Sequence, residues 1–124
     1  MKATRPLEYI CFFPIEVPTH EGDAYLFMYV DEYSKFLIHT GTEFKNDDKT
    51  VLKHLSLLMK NENFKKQSHM GFTLALHKYS HLESEINEII HRHGGKFIID
   101  DLRVTREFAP VMENIFKRIS KLGR

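Results

Sequence analysis

The chain has 124 residues, 42% of them hydrophobic and 12% aromatic, which fits one domain, residues 1–124, able to bury a packed core without staples. Its 18 basic and 17 acidic residues leave a formal charge of +1, so only a local basic patch, not a global field, would recruit a polyanion. No run approaches the ~20 apolar residues of a membrane span, Glu8, Pro14 and Glu16 interrupt what would be a leader, and the single cysteine, Cys11, excludes an internal disulfide and fits a reducing cytoplasm.

In chain order, Leu7–Val17 is rich in aromatic and β-branched residues and predicts a strand, with Pro14 marking an open edge or a bulge. PTHEGD (Pro18–Asp23) is a turn. Ala24–Tyr33 and Lys35–Thr42 predict two more strands, reversed at Asp31-Glu32-Tyr33-Ser34, where Asp and Ser side chains bond nearby backbone. The three form an antiparallel meander. Leu52, Leu55, Leu58 and Met59 then recur at helical spacing after Asp47 and Asp48, predicting a helix that ends near Asn61.

The polar segment NENFKKQSHM reads as a loop, and FTLAL (Phe72–Leu76) as a short buried strand. Ser80-His81-Leu82-Glu83 has the form of a capping box, opening a helix whose stripe is Leu82, Ile86, Ile89 and Ile90 and which Gly94-Gly95 ends. Lys96–Ile99 is a last strand. Pro110 fits only the first turn of the final helix, which carries Val111, Met112, Ile115, Phe116 and Ile119 on one face. Strand-helix-strand units require parallel pairing with right-handed crossovers. The fold class is therefore α/β, or α+β with a mixed sheet: five strands, three antiparallel and then strand-helix-strand units, flanked by helices.

That order is the one found in ribonuclease-H-like folds, and two segments narrow it. EGDAYLFMYVDEYSKFLI (Glu21–Ile38) holds Gly22, Tyr25-Leu26-Phe27 and Asp31-x-x-Ser34-Lys35, and APVMENIFKRISK (Ala109–Lys121) places a small-apolar stretch before a glutamate and a basic end. Both resemble the retroviral-type integrase and transposase catalytic core. The resemblance implies three carboxylates holding two divalent ions, one activating the attacking oxygen and the other steadying the leaving oxygen. Their supports are the middle of the first strand, the end of the fourth strand and the last helix. The matching positions hold Phe13, Tyr79 and Glu113, so the resemblance is to a degenerate core that keeps one acid of three. Phenylalanine cannot bind Mg²⁺, and a neutral tyrosine is a poor substitute for a carboxylate. Asp31 is assigned to shaping the hairpin turn.

An enzymatic alternative relocates the site to Glu16, Asp100 and Glu113, and would use Mg²⁺ or Mn²⁺ as a nuclease or DNA strand-transferase. Glu16 lies three residues beyond Phe13, on the opposite face of an ideal strand, and a bulge at Pro14 would restore its direction. The histidines offer no metal site: His77 and His81 sit about 15 Å from His91 and His93, at opposite ends of one helix. Nor is there a GxSxG, GxGxxG or GxxxxGKS motif, so no small-molecule cofactor is expected. Lys65, Lys66, Arg103, Arg106, Lys117, Arg118 and Lys121 are the candidate phosphate contacts, on one shared face. The expectation is a cytoplasmic, non-catalytic domain that holds the core alone and binds nucleic acid or a protein, with no membrane contact. A third reading is a structural homodimer formed through the last helix or a strand edge.

Overall fold

The computed structural model describes residues 2–68 and 70–122, and the side chains of all of these except 67, 111, 112 and 114–122. Its strands are β1 (Tyr9–Thr19), β2 (Gly22–Asp31), β3 (Leu37–Glu43), β4 (Phe72–Leu76) and β5 (Gly95–Ile99). Its helices are α1 (Asp48–Lys60), α2 (Glu62–Gln67), α3 (Glu83–Ile90) and α4 (Asp101–Leu122). The strands form one five-stranded sheet in the order β3-β2-β1-β4-β5. β1, β2 and β3 pair antiparallel, while β4 pairs parallel with both β1 and β5. This is a mixed α+β sheet flanked by helices.

Strand side chains alternate between faces, and each face buries its own cluster. On one, Ile10, Phe12, Phe27, Tyr29, Leu74 and Leu76 meet Val51, Leu55 and Leu58 of α1 and Ile86 and Ile90 of α3. On the other, Cys11, Ile15, Met28, Val30 and Ala75 meet Val104 and Phe108 of α4, with Phe13 at the border. Each large apolar side chain removed from water contributes about 1.5–3 kcal/mol. β1 carries residues of both clusters, so the two halves of the core share one strand.

Several elements depart from the sequence pattern. NENFKKQSHM contains α2, because the Asn61 side chain accepts from the Phe64 amide at 3.0 Å and Phe64 packs edge-on against Phe72, centroids 5.1 Å apart. Ser80 caps nothing: Tyr79 takes a left-handed conformation (φ 80°), Ser80–Leu82 make a 3-10 turn, and α3 begins at Glu83. α4 begins at Asp101, nine residues before Pro110, because Asp100 receives the amides of Arg103 (side-chain acceptor, 3.1 Å) and Val104 (backbone acceptor, 3.1 Å). Pro110 thus lies inside the helix, where its missing N–H leaves the Arg106 carbonyl without that bond. The expected apolar face at Val111, Met112, Ile115, Phe116 and Ile119 lies outside the described side chains. Pro14 brings no bulge. The β1–β2 register runs unbroken from Ile10 to Thr19, and the irregularity sits instead at Tyr29–Val30 between β2 and β3.

The open edge β3 is tied to α1 by a polar chain. His39 Nε2 lies 3.1 Å from His54 Nδ1, and His54 Nε2 lies 3.1 Å from Glu43 Oε1, which also accepts from Lys53 Nζ at 2.8 Å. The buried His54 ring stacks on Phe27 at 4.9 Å and fills the space over Gly41, where an added Cβ would come 2.1 Å from His54 Cε1. Glycine is required there for room. Gly41→Ala should lower stability by about 1–3 kcal/mol in urea unfolding, a typical cost of overpacking, and by less in a His54→Ala background. An equal cost in both backgrounds would contradict the contact.

Candidate functional site

The parallel β1–β4 ladder ends with Phe12 beside Leu76, and one step further sets Phe13 beside His77. Their ring centroids are 4.6 Å apart. α4 crosses the same face, and its Phe108 ring lies 5.6 Å from Phe13. The middle of the first strand, the end of the fourth and the last helix therefore do converge, and what they bring together is phenyl, imidazole and phenyl. Burial, then the Lys78 ammonium, hold the His77 imidazole below its ordinary pKa, with Asp101 opposing. Its Nδ1 is buried without a hydrogen-bond partner among the described residues. On the same face, burial and then the Glu32 and Glu107 carboxylates push the Cys11 thiol up to about 12, so it is a core thiol and no nucleophile.

Two positions of the sequence comparison are corrected by this geometry. Tyr79 turns to the opposite face, 6.0 Å from Phe12, where burial and Asp48 push its phenol up to about 12. Glu113 is exposed. It follows Val104 by nine residues, two and a half turns at ~3.6 residues per turn, and so points away from the sheet.

The relocated acids are not brought together either. Glu16 is exposed and opposite Tyr25 in an unshifted register, on the face away from α4, where a hydrogen bond with Asp23 raises its pKa. Asp100 is held below the ordinary carboxylate range by the Arg103 amide and guanidinium. Among the described residues, no group of three His, Cys, Asp or Glu side chains is placed to hold a metal ion.

The Asp31–Lys35 turn has a different job. Buried Asp31 accepts from the Leu7 amide at 3.0 Å and the Ser34 hydroxyl at 2.7 Å, closing the turn as its residue types suggest. Glu32 points to α4: its oxygens lie 2.9 and 2.7 Å from Arg103 Nη1 and 3.3 Å from Arg106 Nη2, and it accepts from the Ala3 amide at 3.0 Å. The Arg103 guanidinium carbon also sits 3.9 Å over the Tyr9 ring. Lys35, at φ 67°, donates to both oxygens of Glu107 at 2.9 and 2.8 Å. Among the described residues three ion pairs thus clamp the hairpin turn onto α4, pairings across 71, 72 and 74 positions of sequence that no local pattern reveals.

The expected basic face divides. Arg103 and Arg106 are engaged by Glu32 on the α4 layer, whereas Lys65 and Lys66 belong to α2 on the opposite layer. The side chains of Lys117, Arg118 and Lys121 lie outside the described residues. Lys65 instead borders a cleft with Lys60, Arg92 and His93 that sequence reasoning did not assemble. No helix among the described residues is long and apolar enough to cross a membrane.

No protein-family model matches the chain, and no curated protein matches its sequence. Solved structures do match. A chain of the simian T-cell lymphotropic virus intasome, in complex with PP2A regulatory subunit B56 gamma, aligns with a TM-score of 0.67 and 10% identity. The HTLV-2 integrase catalytic core domain, in complex with magnesium and in dimeric form, aligns with a TM-score of 0.60 and 10% identity. The fold is that of retroviral integrase cores. The first alignment covers 98% of this chain but 44% of the other, and the second 91% and 74%.

Glu32 and Arg103 keep only 4% and 8% of their side-chain surface. Removing one partner of a buried pair strands the other charge, at about 3–5 kcal/mol. Arg103→Met should lower stability by about that much, and Glu32→Gln in the Arg103→Met background should restore part of it in a double-mutant cycle. Strictly additive losses would show that the pair is not coupled.

Proposed function

We propose that this chain is an integrase-core-like domain that has lost metal-dependent chemistry and acts by binding, with nucleic acid as its partner and no small-molecule cofactor. The observation that carries the reading is the packing of Phe13 against His77 and Phe108, where three elements of an integrase-like fold converge. Mg²⁺ demands oxygen ligands in near-octahedral array, and a two-metal reaction needs carboxylates to bridge the ions. Two phenyl rings supply no ligand, and one imidazole cannot hold a pair of hard cations. The nearly neutral charge makes any polyanion binding local, and a cleft holding Lys60, Lys65, Arg92 and His93 supports that partner.

A homodimer is the second reading. Phe36, Leu37 and Phe44 are exposed at the two ends of the open β3 edge, and the HTLV-2 neighbour was solved as a dimer. A stable pair would bury at least ~1,000 Å² in total and would run as a dimer in sedimentation whatever the salt.

The test incubates the purified chain with labelled DNA in Mg²⁺ or Mn²⁺ and, in parallel, in EDTA. The expected result is salt-dependent binding that survives EDTA, with no cleavage or strand transfer and no change in Glu113→Gln. A Mn²⁺-dependent product that Glu113→Gln abolishes would overturn the reading.

A further inference from the structure

The strands β1, β4 and β5 run parallel, so the sheet has two distinct poles. His77 and Asp100 lie just beyond the carboxyl ends of β4 and β5, with Phe13 of β1 beside His77. The residues that lead into β4 and β5, Ser68, Met70 and Gly71 for one and Arg92, His93 and Gly94 for the other, lie at the other pole. There the last turn of α1 supplies Lys60, the last turn of α2 supplies Lys65, and the 3-10 turn after α3 supplies Arg92 and His93.

These four basic residues line a cavity of about 350 Å³, with Glu88 as its one carboxylate. A second cavity of about 340 Å³ shares Lys65, Arg92 and His93 and continues to Ser68 and Gly94. The floor is fixed by backbone. Phe72 N–H donates to the Gly94 carbonyl at 3.2 Å, Gly71 N–H to Ser68 at 3.0 Å and Gly94 N–H to His91 at 3.1 Å. Gly71 and Gly94 both take positive φ, and a Cβ on Gly94 would lie 3.3 Å from the Gly71 Cα, so the two segments touch without side chains between them.

Four basic groups elsewhere in the fold are held by close carboxylates; among the described residues, those of the cleft, like the exposed Lys45, Lys49 and Lys96, are not. Lys35, Lys53, Arg103 and Arg106 are each within 3.3 Å of a carboxylate oxygen. In the cleft, Lys65 has only Glu62 at 3.9 Å, on the rim, and among the described residues no ion pair engages Lys60 or Arg92. Helix C-termini favour cations, which accounts for their placement in last turns. It does not account for three separate segments directing them into one cleft.

We propose that this cleft is a phosphodiester-binding site for a nucleic-acid backbone, located at the pole of the sheet opposite Phe13 and His77. The proposal depends on the nucleic-acid reading above and names where that contact is made. The Arg92 guanidinium supplies a planar fork for phosphate oxygens, and Lys60 and Lys65 supply mobile point charges. Recognition through phosphate alone carries no sequence preference.

The test measures fluorescence anisotropy of labelled single-stranded and duplex DNA against salt, for wild type, Lys65→Gln/Arg92→Gln and the control Lys45→Gln/Lys49→Gln. The control removes the same charge from exposed lysines around the start of α1. The cleft pair should weaken binding about tenfold or more and flatten the salt slope by about 2, one for each lost phosphate contact. It should leave the melting temperature unchanged, which a purely dipole-stabilising role would not. The control should weaken binding no more than about twofold, as diffuse charge would. Equal weakening by both pairs, or none by the cleft pair while wild type binds, sinks the site and leaves the general reading standing. Wild type that binds no DNA sinks both. Inorganic phosphate at matched ionic strength should compete no better than chloride; saturable displacement by it would overturn the polymer assignment in favour of a free-phosphate site.

Discussion

Where α4 crosses the middle of β1 and the carboxyl end of β4, the side chains that meet must either be desolvated together or keep a shared ion. Phe13, His77 and Phe108 meet there, with ring centroids of 4.6 and 5.6 Å to Phe13. Carboxylates in that place would repel one another without cations; rings need none. Helix and sheet therefore attract directly, and α4 seats on the sheet through Val104 and Phe108 as an ordinary core helix. The rings that meet there also stabilise the packing around them.

The second constraint is the clamp. Glu32 with Arg103, and Lys35 with Glu107, attach the β2–β3 turn to the first half of α4, one pair buried and the other half-sheltered. Buried pairs are weak sources of net stability but strong penalties against misplacement. Their effect here is to fix the helix's rotation, which keeps Val104 and Phe108 on the sheet and Glu113 in solvent. The turn that most resembles an integrase motif thus serves geometry in this chain, and its aspartate is spent on backbone amides.

Much of this order was legible. Phe72–Leu76 is a buried apolar run between Gly71 and polar residues, and the structure has the strand at those residues. The meander and the helical stripe of α1 followed from period alone. α2 was not legible, because one buried aromatic, Phe64, anchors an otherwise polar stretch. The start of α4 was hidden because Asp100-Asp101 reads equally as a strand end, and Pro110 reads as a helix start. A helix started at Pro110 leaves Phe108 without an element, whereas α4 from Asp101 carries it onto the sheet. His77 was missed for a different reason: comparison along the chain counts residues, whereas the parallel ladder pairs neighbours in space, and the left-handed Tyr79 sends its ring to the other face. Ion pairs spanning the whole fold leave no local trace at all.

The central claim is that the convergence of β1, β4 and α4 excludes divalent cations. Manganese titration of isotope-labelled protein tests it most directly, since the paramagnetic ion broadens amide resonances close to where it binds. The account predicts that the signals of Phe13, His77 and Phe108 broaden no more than those of isolated surface acids. Selective, saturable broadening centred on those three residues would contradict it.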